Sequence, residues 1–321
     1  MGQHIKQRAT VAEGQHNMRF DQAAAELFPD FSRARLQSWI RSGALLSDGQ
    51  LLRPRDKVAI GAELTLEAEL EDEVSWQGQS IALDVVHDDP DLIVINKPAG
   101  LVVHPAAGHS AGTLVNALLH AYPELSELPR AGIVHRLDKE TSGLMVVARS
   151  LRAHTSLVEQ LQARTVSREY VAVCIGAMTG GGTVDAPMGR HPRARKKMAV
   201  VATGGKPAIT HYRVEERFAH HTLVAVKLET GRTHQIRVHM AHIHHPLVGD
   251  PQYGGRPRLP RAAAPPLVEM LRGFSRQALH ARRLALVHPA TGDSCEWEVP
   301  LAADIVDLIA CLREHDRGDT R

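Results

Sequence analysis

Residues 133–148 read Ile-Val-His-Arg-Leu-Asp-Lys-Glu-Thr-Ser-Gly-Leu-Met-Val-Val-Ala, and their reading decides the fold. Leu144 to Ala148 is a short apolar run behind a Thr-Ser-Gly corner, the pattern of a buried strand. Ahead of it, Asp138 stands between Arg136 and Lys139 in a polar turn. A carboxylate held at the lip of a strand by neighbouring cations stays ionised and is able to attack an electrophilic carbon. The same pattern also describes a plain salt-bridged turn.

Outward from this stretch, further segments carry chemistry-bearing residues in order. They are Asn96-Lys97-Pro98-Ala99-Gly100 with Val103-His104-Pro105, then Ser167-Arg168-Glu169-Tyr170, then Leu228 to Met240 with Gly231-Arg232-Thr233-His234-Gln235-Ile236-Arg237 at its centre. With His135-Arg136-Leu137-Asp138-x-x-Thr141-Ser142-Gly143, these segments resemble the signatures of the large-subunit ribosomal RNA pseudouridine synthases of the RluA/RluD type. The resemblance spans residues 15 to 310. It implies that Asp138 is the catalytic aspartate, that Tyr170 is the active-site tyrosine and that Arg237 pairs with Asp138. It further implies substrate contacts from His135, Arg136, Arg232, His234 and Ile236, and action on the helix 69 stem-loop of 23S rRNA.

Such a reaction breaks the C1′–N1 bond of uridine, turns the uracil and rejoins it through C5. Nothing is oxidised and no group is imported, so no cofactor is expected, and no phosphate-binding glycine motif follows a strand. Asp138 has three routes open to it: attack at C1′, removal of a sugar proton, or addition to the ring. Arg237 is expected to clamp it with a two-pronged pair. Tyr170 is expected to stack on uracil and accept or relay the C5 proton. Arg136 is expected to fill the gap left by an extruded nucleotide.

The chain of 321 residues suggests two domains, and 43% hydrophobic residues suffice for a core. Three widely spaced cysteines fit reduced thiols in the cytoplasm. The N-terminus lacks the apolar core of a signal peptide, and no apolar run is long enough to cross a bilayer. Nothing demands more than a monomer. Net charge is only +2, so an RNA surface must come from segregated charge. Arg193, Arg195, Lys196 and Lys197 form a basic run between glycine clusters, expected as a mobile arm for phosphates.

The expected organisation is a flexible tail over 1–17, an S4-like RNA-binding domain over 18–75 and a catalytic domain over 76–315. Phe20 to Phe28 and Arg33 to Arg41 read as helices, the second capped by Ser32 and closed by Gly43. Arg33 and Arg35 are placed on an RNA-facing surface. The acidic stretch 67–80 reads as the linker. Beyond it, short strands without regular helix alternation predict an α+β fold with a mixed, mainly antiparallel sheet. The expected partner is large-subunit ribosomal RNA or its assembly precursor, with no membrane. Two other classes stay in view. One is a non-catalytic assembly factor; the other is a zinc hydrolase built on His239, His242, His244 and His245.

Overall fold

The computed structural model describes residues 3–31, 33–70, 76–105, 111–256, 258–260 and 263–319, so the Ser32 cap and the acidic residues 71–73 lie outside the described residues. The chain divides into two units, Met1–Ser75 and Trp76–Arg321.

In the first unit, strand β1 (Gln3–Thr10) pairs antiparallel with β3 (Glu63–Leu70), and β2 (Leu45–Ser47) joins the other edge of β3. The expectation of a loose tail over 1–17 is therefore corrected. Ile5 and Ala9 lean on the core while Lys6 and Arg8 point to solvent, an alternation masked by the polar Gln7 between them. The start of the expected linker is likewise strand. Helices α1 (Phe20–Leu27) and α2 (Arg33–Ser42) pack Phe20, Leu36 and Ile40 onto Leu45, Leu64 and Leu66, all fully buried. Gly43 at φ +83° ends α2, and Asp48-Gly49, both at positive φ, turn the chain after β2. Arg33 is committed within this unit: with Arg19 it pairs with buried Asp21, at 2.8 and 3.0 Å.

The second unit runs β4 (Val85–Asp88), β5 (Leu92–Lys97), α3 (Leu114–Ala121), β6 (Ser142–Ala148), α4 (Leu151–Gln162), β7 (Ser167–Ile175), β8 (Gly182–Asp185), β9 (Met188–Arg190), β10 (Met198–Val200), β11 (Ile209–Arg217), β12 (His221–Leu228), α5 (Gln235–His242), α6 (Pro265–Gly273), β13 (Leu279–Val287), β14 (Ser294–Glu298) and α7 (Ala303–Asp319). Its main sheet has the order β4-β5-β6-β13-β7-β12-β11-β8, with β14 on β13. Among the described pairs only β6 with β13 is parallel, so the mixed, mainly antiparallel α+β sheet is as expected.

Strand β13 is what brings the site together. Its first residues pair with β6 at Gly143 on one side, and with β7 at Tyr170 on the other. Gly143, at φ +109°, is the joint: a Cβ there would lie 2.2 Å from the Ala281 carbonyl oxygen. Strand β7 is covered on both faces. Tyr170, Ala172 and Cys174 enter one core, while Val171 and Val173 enter another.

Candidate active site

Asp138 sits in the turn that leads into β6, and the carbonyls around it are all engaged. The Thr141 N–H donates to the Asp138 oxygen at 3.0 Å, the Gly100 N–H donates to the Lys139 oxygen at 2.9 Å, and Arg276 donates to the Glu140 oxygen at 3.1 Å. Lys97, only 1% exposed, completes the frame from β5. Its Nζ donates to the Pro98, Leu101 and Lys139 carbonyls at 2.7, 3.0 and 3.0 Å. Burial pushes the Lys97 ammonium down to about 8, against the pull of Glu140 and Asp138. Nothing in the sequence alone assigns Lys97 a task; its burial comes from the sheet.

The side chain of Asp138 opens into a cavity of about 580 Å³, within the range of small-molecule sites. Arg136, expected to hold it, is exposed on the cavity wall, and Lys139 contacts Glu140 at 3.9 Å instead. The carboxylate is held by Arg237, whose Nη1 donates to Asp138 Oδ2 at 3.0 Å. His234 Nε2 lies 3.8 Å from the other oxygen. One oxygen is thus paired and the other is left facing the open space.

The two-pronged clamp exists, but on a different partner. Arg237 Nε and Nη2 donate to Asp250 Oδ2 and Oδ1 at 2.7 and 2.9 Å, and Asp250 also accepts from the Gln252 and Tyr253 N–H groups. Burial works against ionisation of Asp250, yet Arg237 and these donors outweigh it and hold its carboxyl below the usual range. Tyr253 lies under the guanidinium, 5.0 Å from ring centre to Cζ, and its hydroxyl meets His234 Nδ1 at 2.8 Å. Asp250 and Tyr253 were not anticipated. The Gly-Asp-x-x-Tyr spacing of Gly249 to Tyr253 was the available signal, and it says nothing about which arginine it meets.

Helix α5 starts at Gln235, and the His234 that precedes it takes φ +58°. That left-handed residue aims its ring at Asp138 and Tyr253 together. Burial lowers the His234 pKa, with the charge of Asp138 pulling partly back. Gln235 ties the helix start to β11 through the Ile209 carbonyl and the Thr210 hydroxyl.

The remaining expected contacts divide. Tyr170, His135, Arg232 and Ile236 all line the cavity. His135 accepts from the Val146 N–H at 3.1 Å, and burial drops its pKa to about 3, so a neutral ring is committed to bracing β6. Burial raises the Tyr170 phenol, which suits a stacking wall and a hydrogen-bond donor better than a resident base. Arg232 donates through Nε to the Pro207 carbonyl at 3.1 Å. The basic run is the tip of a two-stranded ribbon, β9 with β10, rather than a free arm. Met198 and Val200 pack beside Val238 of α5, leaving Arg193, Arg195 and Lys196 exposed, while Lys197 donates to the Gln252 carbonyl.

The zinc reading meets a satisfied core histidine. His239 Nδ1 and Nε2 reach the Thr210 hydroxyl and the Ala186 carbonyl at 2.9 and 3.1 Å, and among the described residues no metal-ligating group forms. Among the described residues, no second free acid for hydrolysis stands beside Asp138. Glu140 does not line the cavity, and Glu229, which does, is engaged by His211 and Arg164.

Comparison with known proteins agrees with this geometry. Residues 91–242 match the RNA pseudouridylate synthase family. The ribosomal large subunit pseudouridine synthase D of Pseudomonas aeruginosa is 59% identical, covering 98% of this chain and 98% of the relative. Its Shigella flexneri counterpart is 55% identical over 98% of this chain and 96% of the relative. Among solved structures, human RNA pseudouridylate synthase domain containing 4 superposes with a TM-score of 0.57 at 28% identity, covering 72% of this chain and 93% of its own.

Proposed function

This chain belongs to the RNA pseudouridylate synthase family, in its RluA/RluD type, and we propose that it isomerises uridines of large-subunit ribosomal RNA, in the helix 69 stem-loop of 23S rRNA. The observation that carries the reading is the state of Asp138: one oxygen is tied to Arg237, and the other faces a cavity of nucleotide size.

A uridine must leave the helical stack to reach that oxygen. Tyr170 forms a flat wall for its uracil, and Asp138 acts at the nucleoside while C1′ leaves N1 and joins C5. The C5 proton is lost and N1 gains one, so the product is an isomer of the substrate. Exposed Arg136 fills the gap in the RNA helix. The first unit serves as an S4-like RNA-capturing module through Arg33 and Arg35, although the Asp21 pairing makes Arg33 the weaker contact. Arg193, Arg195, Lys196 and Lys197 follow the phosphate backbone. The chain works as a cytoplasmic monomer without a cofactor.

The test is to map pseudouridines in ribosomal RNA from cells with the protein, without it, and with Asp138→Asn. Loss of specific pseudouridines in the last two, with RNA binding near normal for Asp138→Asn, is the expected outcome. Undiminished modification by the Asn variant would remove Asp138 from the chemistry.

A further inference from the structure

The cavity wall holds Arg130, Arg136, Arg164, Arg168, Arg232 and Arg237 against the carboxylates Asp138 and Glu229. Most of these cations are accounted for. Arg237 faces two aspartates, Arg164 pairs with Glu229, and Arg130 and Arg136 are open to water. Arg168 is different. The residue is 7% exposed, its Nε is buried without a partner, and among the described residues no carboxylate pairs with it.

Its surroundings look arranged to keep it so. The adjacent Glu169 points to the other face of β7 and binds Arg282 at 2.6 Å. Gly231 opposes the guanidinium so closely that a Cβ would lie 2.7 Å from Nη1. A glycine there leaves the fork room at the cavity wall. Burying a cation without a counter-charge is unfavourable, and such a site persists where a ligand brings the anion.

We propose that Arg168 is a subsite for a phosphodiester flanking the extruded uridine, which it grips with the guanidinium fork. Arg168 and Tyr170 stand on the same face of β7, roughly 7 Å apart along the strand. That separation is comparable with the span from a base to its phosphate within one nucleotide. A planar fork matches two phosphate oxygens, and Lys cannot reproduce it. Arg168 therefore positions the nucleotide, while Asp138 remains the catalytic residue. This assignment rests on the RNA-modifying reading given above and names the part of the RNA that the site grips.

The test uses the full-length protein and a helix 69 stem-loop RNA, with each phosphate near the target uridine replaced in turn by neutral methylphosphonate. Arg168→Gln is expected to weaken equilibrium binding and raise KM by on the order of 10- to 100-fold. The slope of log affinity against log salt should fall by about one phosphate's worth. One methylphosphonate position should weaken wild-type binding as much as the mutation does, and combining the two should add little. Arg168→Lys should recover only part of the loss. Arg168→Met should melt no lower than wild type, because no internal partner is lost. Additive losses at every phosphate, an unchanged salt slope or a collapsed melting temperature would each overturn the assignment. Binding is read without turnover, so a wild-type protein that binds but forms no pseudouridine fails the functional reading alone.

Discussion

Asp250→Asn is the most telling single change, because it leaves Asp138, the proposed catalytic residue, untouched. Asn keeps the shape of the side chain and removes the charge that meets Arg237 at 2.7 and 2.9 Å, in a site where Asp250 is 1% exposed. Breaking a buried pair costs ~3–5 kcal/mol, and the Asn oxygen retains one acceptor, so about 3 kcal/mol is expected. For a unit of this size that corresponds to a melting temperature lower by roughly 6–12 °C. The larger effect is on rate. Arg237 then has one strong anchor left, Asp138 itself, and a displacement of ~1 Å is enough to lower kcat on the order of 100-fold. KM should change little, since neither residue needs to bind RNA. The pH dependence has a definite sign. The folded carboxyl of Asp250 lies below its ordinary value of 3.8, so its contribution is complete above that value. It fades as pH falls through the folded value. The stability gap between wild type and Asn should therefore be constant near neutrality and close in acid. Urea unfolding across pH and single-turnover pseudouridine formation are the assays. A variant that melts with wild type and keeps its kcat would refute the claim that Asp250 aims the pair.

Two further outcomes are expected. Lys97 is buried with its ammonium near 8 rather than 10.5, so the unfolded chain binds more protons between those values and stability rises with pH there. Relative to Lys97→Met, wild type should gain up to about 3 kcal/mol from pH 8 to 10.5 in chemical unfolding, and a flat difference would contradict the buried ammonium. Gly143→Ala places a methyl group against the Ala281 carbonyl at a φ that L-residues avoid, at the seam of β6 and β13. A loss of roughly 2 kcal/mol or more is expected by circular dichroism melting, with an unchanged midpoint counting against the seam's importance.

Much of the site was legible in one dimension. The turn before β6 is readable from its own residues, while Lys97, Gly100 and Arg276 brace it from elsewhere in the chain. The run Leu144 to Ala148 is buried along its whole length because it sits inside the sheet. The strand through Tyr170 is apolar from Val171 to Ile175, and its two faces enter two different cores. The pairing of Arg237 with Asp138 came from resemblance, and the geometry supports it with a single bond.

What stayed hidden concerns partners far apart in the chain or polar groups taken out of water. Strand β1 was hidden because an edge strand paired on one side keeps polar residues facing solvent, and so reads as a tail. Lys97, Arg168 and Asp250 are charged, and composition alone places charged residues outside. Only the insertion of β13 between β6 and β7, and the docking of α5 against β11, encloses them. Local pattern determined where the strands and turns lie, because backbone preference and apolar periodicity act over a few positions, and the resemblance pointed to the residues expected to carry the chemistry. Tertiary structure decided which charge answers which, because that depends on sheet register between distant segments, with Asp138 and Arg237 lying 99 positions apart and Glu169 and Arg282 113 apart.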